Sequence, residues 1–292
     1  PEPFRGRGFW SSRLQKCFAR GLTMPSIHTA RVALLLYVNR SGSTFLASRL
    51  AALPGVVATL ESEAVGHLLE GDGAVEDAEQ LSAIVDGLYG ELKFRQWELP
   101  REQLEASLAE ETFPLAREAL FRAILRALPG GATARCFVVK APGILPMLDE
   151  ILKRNPSFQV LHVVRDPRAV YASQRHSISS RTGHPMVRDP VTMGYRWRRF
   201  VEALSRVPPS QLLEIRYEDM LADERAAVAR VCEFLGVDPQ TRRDDGGAGY
   251  ARRIPETQRH LHELVSRAAD SSRAERWRSD LLPGDSALLE KT

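Results

Sequence analysis

The chain has 292 residues, 43% hydrophobic and 26% charged, and its 40 basic and 37 acidic side chains leave a formal charge of +3. That length can bury a sizeable core as one large α/β domain or two smaller ones, and so small a charge argues against bulk nucleic-acid or membrane-surface binding. The apolar run Val32–Val38 falls well short of the roughly 20 residues that a membrane-spanning helix needs.

Residues 1–23 carry Arg5, Arg7, Arg13, Lys16 and Arg20 against Glu2 alone. They lack the apolar stretch of a secretory signal, and residues 1–30 read as a basic extension of a single domain over 31–292. The chain opens on Pro, and Met24 is the candidate natural start. Cys17, Cys136 and Cys232 are far apart with no CxxC pairing, which favours free or buried thiols in a reducing cytoplasm over disulfides or a zinc site.

Val32–Val38, Cys136–Val139 and Val160–Val164 read as buried strands, with a weaker fourth at Leu212–Ile215. Helical patterns are predicted over Thr44–Leu53, Glu76–Trp97, Pro114–Leu128, Ile144–Arg154 and Asp166–His176, and residues 66–128 form a helical insert. Asp244–Gly249 reads as a mobile loop, followed by a helix over His260–Ala269 and a basic tail, Arg273–Asp285. Strands alternating with helices imply a central parallel sheet covered on both faces, with ligands at the carboxyl ends of the strands.

Two polar turns begin where strands stop. In "NRSGSTF", Gly42 lets the backbone curl around a ligand, while Ser41, Ser43 and Thr44 supply hydroxyls and amides at the start of a helix. A helix N-terminus and a nest of amides favour an anion, and Arg40 adds a planar, permanently charged donor fork. The nucleotide-triphosphatase pattern GxxxxGK[ST] is broken, because Tyr37 replaces its first Gly and Ser43 its Lys. In "VVRDPRAVYAS", Arg165 leaves a strand end, Asp166 caps the next helix and Pro167 suits its first position. Ser173, two turns on, lies near the same face and can share a ligand with Arg165.

These paired loops resemble the superfamily of sulfotransferases that use 3′-phosphoadenosine 5′-phosphosulfate (PAPS), from about Val32 to Leu282. "RSGST" is more similar to the Golgi-type, tyrosylprotein and bacterial branches than to the cytosolic phenol and steroid enzymes, which usually carry Lys in the first loop. Asn39 departs from the Pro common there, which bears on loop stiffness. The resemblance implies the P-loop-like sulfotransferase fold. It assigns Arg40, Ser41, Gly42, Ser43, Thr44 and the adjoining Phe45 to the 5′-phosphosulfate, and Arg165 and Ser173 to the 3′-phosphate. "IRYEDM" resembles the family's "RYEDL", which brings Tyr217 towards adenine; "RWRSDL" resembles its carboxyl-terminal "GRWRxxL", making Arg278, then Arg276, a 3′-phosphate contact.

Sulfuryl transfer needs cations at the leaving oxygen and a base for the acceptor's proton. Lys140 opens "KAPG", which resembles the family's "KTP" or "KDP", where the Lys helps neutralise the leaving group. In "ATLESEA", counting from Arg40 favours Glu61 as base, whereas the bacterial "SEP" pattern favours Glu63. His67 and His176 read as surface residues and His162 as core. No metal is required or suggested.

The resemblance implies an acceptor that is a hydroxyl, less readily an amine, of a small molecule, carbohydrate or carrier-bound intermediate. Its pocket is expected between the insert, with Phe94, Trp97 and Phe113, and the Ser177–Asp189 loop. Alternatives are a P-loop-type nucleotide kinase and a catalytically silent nucleotide- or sulfated-glycan-binding domain.

Overall fold

A computed structural model describes residues 30–71, 73–179, 182–239, 248–259, 262, 265 and 267–292. The basic residues up to Arg20, Cys17, Met24, most of the expected Asp244–Gly249 loop and much of the expected His260–Ala269 helix lie outside the described residues.

Five strands form one parallel sheet: β1 Arg31–Tyr37, β2 Val56–Ala58, β3 Cys136–Lys140, β4 Gln159–Val164 and β5 Leu212–Arg216, in the order β2-β3-β1-β4-β5. β1 is buried from Val32 onward and β3 throughout, as a sheet covered on both faces requires. Four of the five strands follow the apolar runs of the sequence. β2 does not, because three residues are too few to declare a period.

Helix α1 (Ser43–Ala51) follows β1. The insert holds α2 (Ala64–Leu69), α3 (Ala78–Gly90), α4 (Leu92–Arg95), α5 (Arg101–Leu108) and α6 (Arg117–Ala127). The expected helix Glu76–Trp97 is therefore broken at Glu91, whose backbone is extended and whose carboxylate is bonded elsewhere. Beyond β3 the chain makes a 3-10 turn over Pro142–Met147 before α7 (Leu148–Arg154), since Pro146 has no N–H to donate.

Asp166 caps α8 (Pro167–His176), accepting from the Arg168 amide, with Pro167 in its first turn. α9 (Pro190–Leu204), α10 (Tyr217–Ala222) and α11 (Glu224–Leu235) follow, and short helices at Trp277–Asp280 and Pro283–Glu290 close the chain. Phe94 and Trp97 are wholly buried and tilted together at 5.1 Å, so they anchor the insert to the core. Phe113 is exposed.

The strand order puts β1 in the middle, so the carboxyl ends of β3 and β4 flank the turn that follows it. Lys140 and Arg165 thereby stand on either side of "NRSGST", although Arg165 is 125 positions along the chain from Arg40. Among the described residues no helix is long and apolar enough to cross a membrane.

Candidate active site

The turn after β1 is built on left-handed backbone at Arg40 (φ 75°) and Gly42 (φ 92°), closed by the Ser41 amide donating to Val38 O at 3.1 Å. Arg rarely adopts that conformation, which costs of order 1–3 kcal/mol. Gly42 is required twice over, since a Cβ there would collide with the Tyr217 ring. Ser41, Ser43 and Thr44 are buried, and the first amides of α1 open towards the cleft at the positive end of its dipole.

The second turn is locked to the first. Arg165 lies 4.3 Å from the centre of the Tyr217 ring and its Nη1 donates to Arg40 O at 2.9 Å. Its Nε is buried with no partner, the kind of orphan donor that an anion satisfies. Trp197 Nε1 holds the Arg165 carbonyl at 2.8 Å, and Arg40 Nε donates to Ser173 Oγ at 3.1 Å. Burial, then the neighbouring Arg165 guanidinium, disfavours the charge on Arg40. The structure thus brings Arg40, Arg165, Ser173 and Tyr217 together.

Lys140 closes the opposite side. It is buried, its Nζ donates to Thr44 Oγ1 at 2.9 Å, and its amide donates to Thr59 Oγ1 at 3.2 Å. Burial pulls its pKa down to about 8, with Glu61 opposing the fall and Lys93 adding to it. Glu61 receives the Tyr37 hydroxyl on Oε2 at 2.6 Å and Lys93 Nζ on Oε1 at 2.8 Å. Burial would raise the proton affinity of Glu61, but the charges of Lys140 and Lys93 and the two hydrogen bonds leave it lowered overall. Glu63 is 71% exposed and meets Lys93 at 3.4 Å.

Neither Tyr37 nor Lys93 is distinguished as a site residue by sequence. Tyr37 registers there only as a departure from the triphosphatase pattern. Lys93 looks like one more polar position on a helix; its one available signal is the break that Glu91 makes between α3 and α4.

Near the end of the chain Arg276 lines the cleft and pairs with Asp280 at 3.3 Å. Arg278 does not line it; it pairs with Glu275 and stacks on Trp277 at 4.6 Å. Trp277 is buried beneath Arg168, which lies 4.0 Å from its ring centre and also pairs with Asp166. A separate tie runs from α1, where buried Arg49 donates to Val265 O and Arg267 O and pairs with Glu224 at 3.0 Å.

Residues 36–241 match the profile of the sulfotransferase family. The chain belongs to that family. Among solved structures it resembles the sulfotransferase domain of the Synechococcus PCC 7002 olefin synthase, at 23% identity and a TM-score of 0.55, covering 92% of this chain and 97% of that one. The sulfotransferase domain from the curacin biosynthetic pathway is similar at 19% identity and a TM-score of 0.54, covering 90% and 97%. A mouse sulfotransferase, SULT7A1, complexed with PAP, matches at 15% identity and a TM-score of 0.47, over 89% and 82%. No curated protein sequence matches.

In this sulfotransferase both turns, Lys140 and Glu61 open into one cleft of about 1240 Å³. The insert lines it through Gly66, His67, Lys93 and Gln96, and the loop after α8 through Ser177, Pro185 and Met186. Phe94, Trp97 and Phe113 are not in its lining. His162 is buried in β4 with Nδ1 3.0 Å from Glu214, while His67 and His176 are exposed at its margin. Cys136 and Cys232 are buried free thiols. Among the described residues no cluster of His, Cys, Asp or Glu gathers as a metal site.

Proposed function

We propose that the chain transfers a sulfuryl group from PAPS to a hydroxyl, less readily an amine, of a small-molecule, carbohydrate or carrier-bound acceptor. The observation that carries this reading is the two-ended cleft. Arg40, Arg165 and Ser173 gather at one end around the unpartnered Arg165 Nε. The Lys140 and Glu61 pair stands at the other. The first end suits a phosphate monoester, which carries nearly two charges near neutral pH. The amides and hydroxyls of Ser41–Thr44 suit the phosphosulfate.

The chemistry balances on this chain's own groups. The acceptor oxygen forms the new S–O bond, the S–O bond to the 5′-phosphate breaks with its electron pair leaving on the nucleotide, and the acceptor's proton passes to Glu61. Lys140 supplies positive charge where the leaving oxygen becomes anionic. Tyr217, packed on Gly42 and carrying Arg165 on its ring, is the residue to meet the adenine side. Arg276 is favoured over Arg278 as a further phosphate contact, because it lines the cleft.

Glu61 is favoured over Glu63 as the base because it is held from both sides while Glu63 faces solvent. Calorimetry with 3′-phosphoadenosine 5′-phosphate (PAP) tests the donor site. The wild type should bind, and Arg165→Ala should bind at least about tenfold more weakly, or 1.4 kcal/mol. Equal affinity for the two proteins refutes the donor assignment. Screening acceptors with 35S-labelled PAPS then tests the base. Glu61→Gln should slow single-turnover transfer at least about tenfold and Glu63→Gln should not.

A further inference from the structure

The insert grips the segment that carries Glu61. Glu91, in the break between α3 and α4, accepts from Ser62 Oγ at 2.6 Å and from the amides of Glu63 and Ala64 at 2.8 and 2.9 Å. Trp97 Nε1 donates to Leu60 O at 2.9 Å. Lys93 lies between these anchors on α4 and reaches Glu61 Oε1. Main chain and side chain from Leu60 to Ala64 are thus held by three residues of the insert, Glu91, Lys93 and Trp97.

We propose that Lys93 is a positioning residue for sulfuryl transfer: with Tyr37 on Oε2, it fixes the Glu61 carboxylate in the attitude that accepts the acceptor's proton. The inference rests on the proposed transfer with Glu61 as base. An ionised carboxylate offers about four lone-pair sites, so one bond to each oxygen leaves a site on each for the acceptor's O–H. The cation next to the first turn is Lys140, bonded to Thr44, whereas the bonds of Lys93 go to Glu61 and Glu63. An ordinary surface ion pair contributes about 0–1 kcal/mol and would be spared by function. This one differs in that Glu91 and Trp97 fix its backbone and Tyr37 opposes it. Orientation of a reacting group governs rate far more than it governs stability.

The test uses the intact chain and 35S-labelled PAPS with water as the acceptor, following labelled sulfate over a wide pH range. Lys93→Met should lower kcat by about tenfold at unchanged KM for PAPS. It should also move the acid limb of the profile to higher pH, because the lost cation no longer favours the Glu61 carboxylate. Lys93→Arg should restore most of kcat and the limb. Unchanged PAP affinity in Lys93→Met certifies that the fold and donor site survive.

If kcat and the acid limb stay put in Lys93→Met, or if Lys93→Arg falls as far as Lys93→Met, the inference is overturned. Full activity in Glu61→Gln would instead overturn the assignment of the base. Where transfer to water is too slow to follow, 13C titration of the Glu61 carboxyl decides: an upward movement in Lys93→Met supports the inference, and no movement overturns it.

Discussion

Lys140 keeps an ammonium group in a buried site, and the structure shows what this costs it: a pKa brought down to about 8 from an ordinary value near 10.5. The consequence for binding has a definite sign. Below about pH 8 the free protein already carries the proton, so an anion binds without taking one up. Above it, an anion in the cleft favours the charged form, and binding should draw a proton from solvent while affinity falls. PAP is suited to the measurement because the second pKa of a phosphate monoester lies near 6. Calorimetry in buffers of different ionisation enthalpy should show proton uptake at pH about 8.5. Lys140→Met should abolish it. Proton release, or no exchange in the wild type, contradicts the environment described for Lys140.

At this scale the sequence was legible where a charged residue closes or follows a long buried apolar run. Arg165 and Lys140 could be singled out because a buried apolar run places the next polar side chain at the ligand edge of a parallel sheet. Lys93 and Tyr37 could not. Their roles depend on meeting Glu61 across 32 and 24 residues of chain, and no local period encodes such a meeting.

Among the elements, the turn after β1 leaves no room for a side chain at Gly42. Gly42 combines φ 92° with the ring of Tyr217 where a Cβ would stand. Gly42→Ala should therefore unfold at lower denaturant, with a loss of about 1–3 kcal/mol. It should also lose PAP affinity more than in proportion, since displacing Tyr217 displaces Arg165 with it. Stability retained together with PAP affinity would show that the turn has another way to fold.

The elements of the insert were read less well than the strands, for a physical reason. Glu76–Trp97 has helical composition throughout, but Glu91 gives up helical backbone to bond the segment 62–64. A tertiary demand overrides propensity there. α5 and α9 carry no strong sequence boundary beyond Pro100 and the Asp189–Pro190 pair; α5 lies in a stretch expected only as insert, and α9 begins where the expected Ser177–Asp189 loop ends.

For the whole molecule, the sulfotransferase fold was legible because its signal is global: apolar runs at long intervals, each followed by a polar turn. The sheet order was not, since β2 is nearly silent in the sequence. That order decides which turns become neighbours. The register of the sheet also divides the chain into parts that can and cannot change in length. Leu35 of β1 is level with Lys140 of β3 and with Leu161 of β4, and a slip of one residue turns every side chain of a strand to the opposite face. Losing one residue from β3 would turn Lys140 to the opposite face of the sheet and withdraw it from Thr44. The helices of the insert lie outside the sheet and answer to no such ruler. Divergence among descendants of this chain should therefore leave the spacing within strands untouched and accumulate as additions and losses in the outer connections of the insert, where the wall of the cleft can be resized while the turns at the strand ends stay the same.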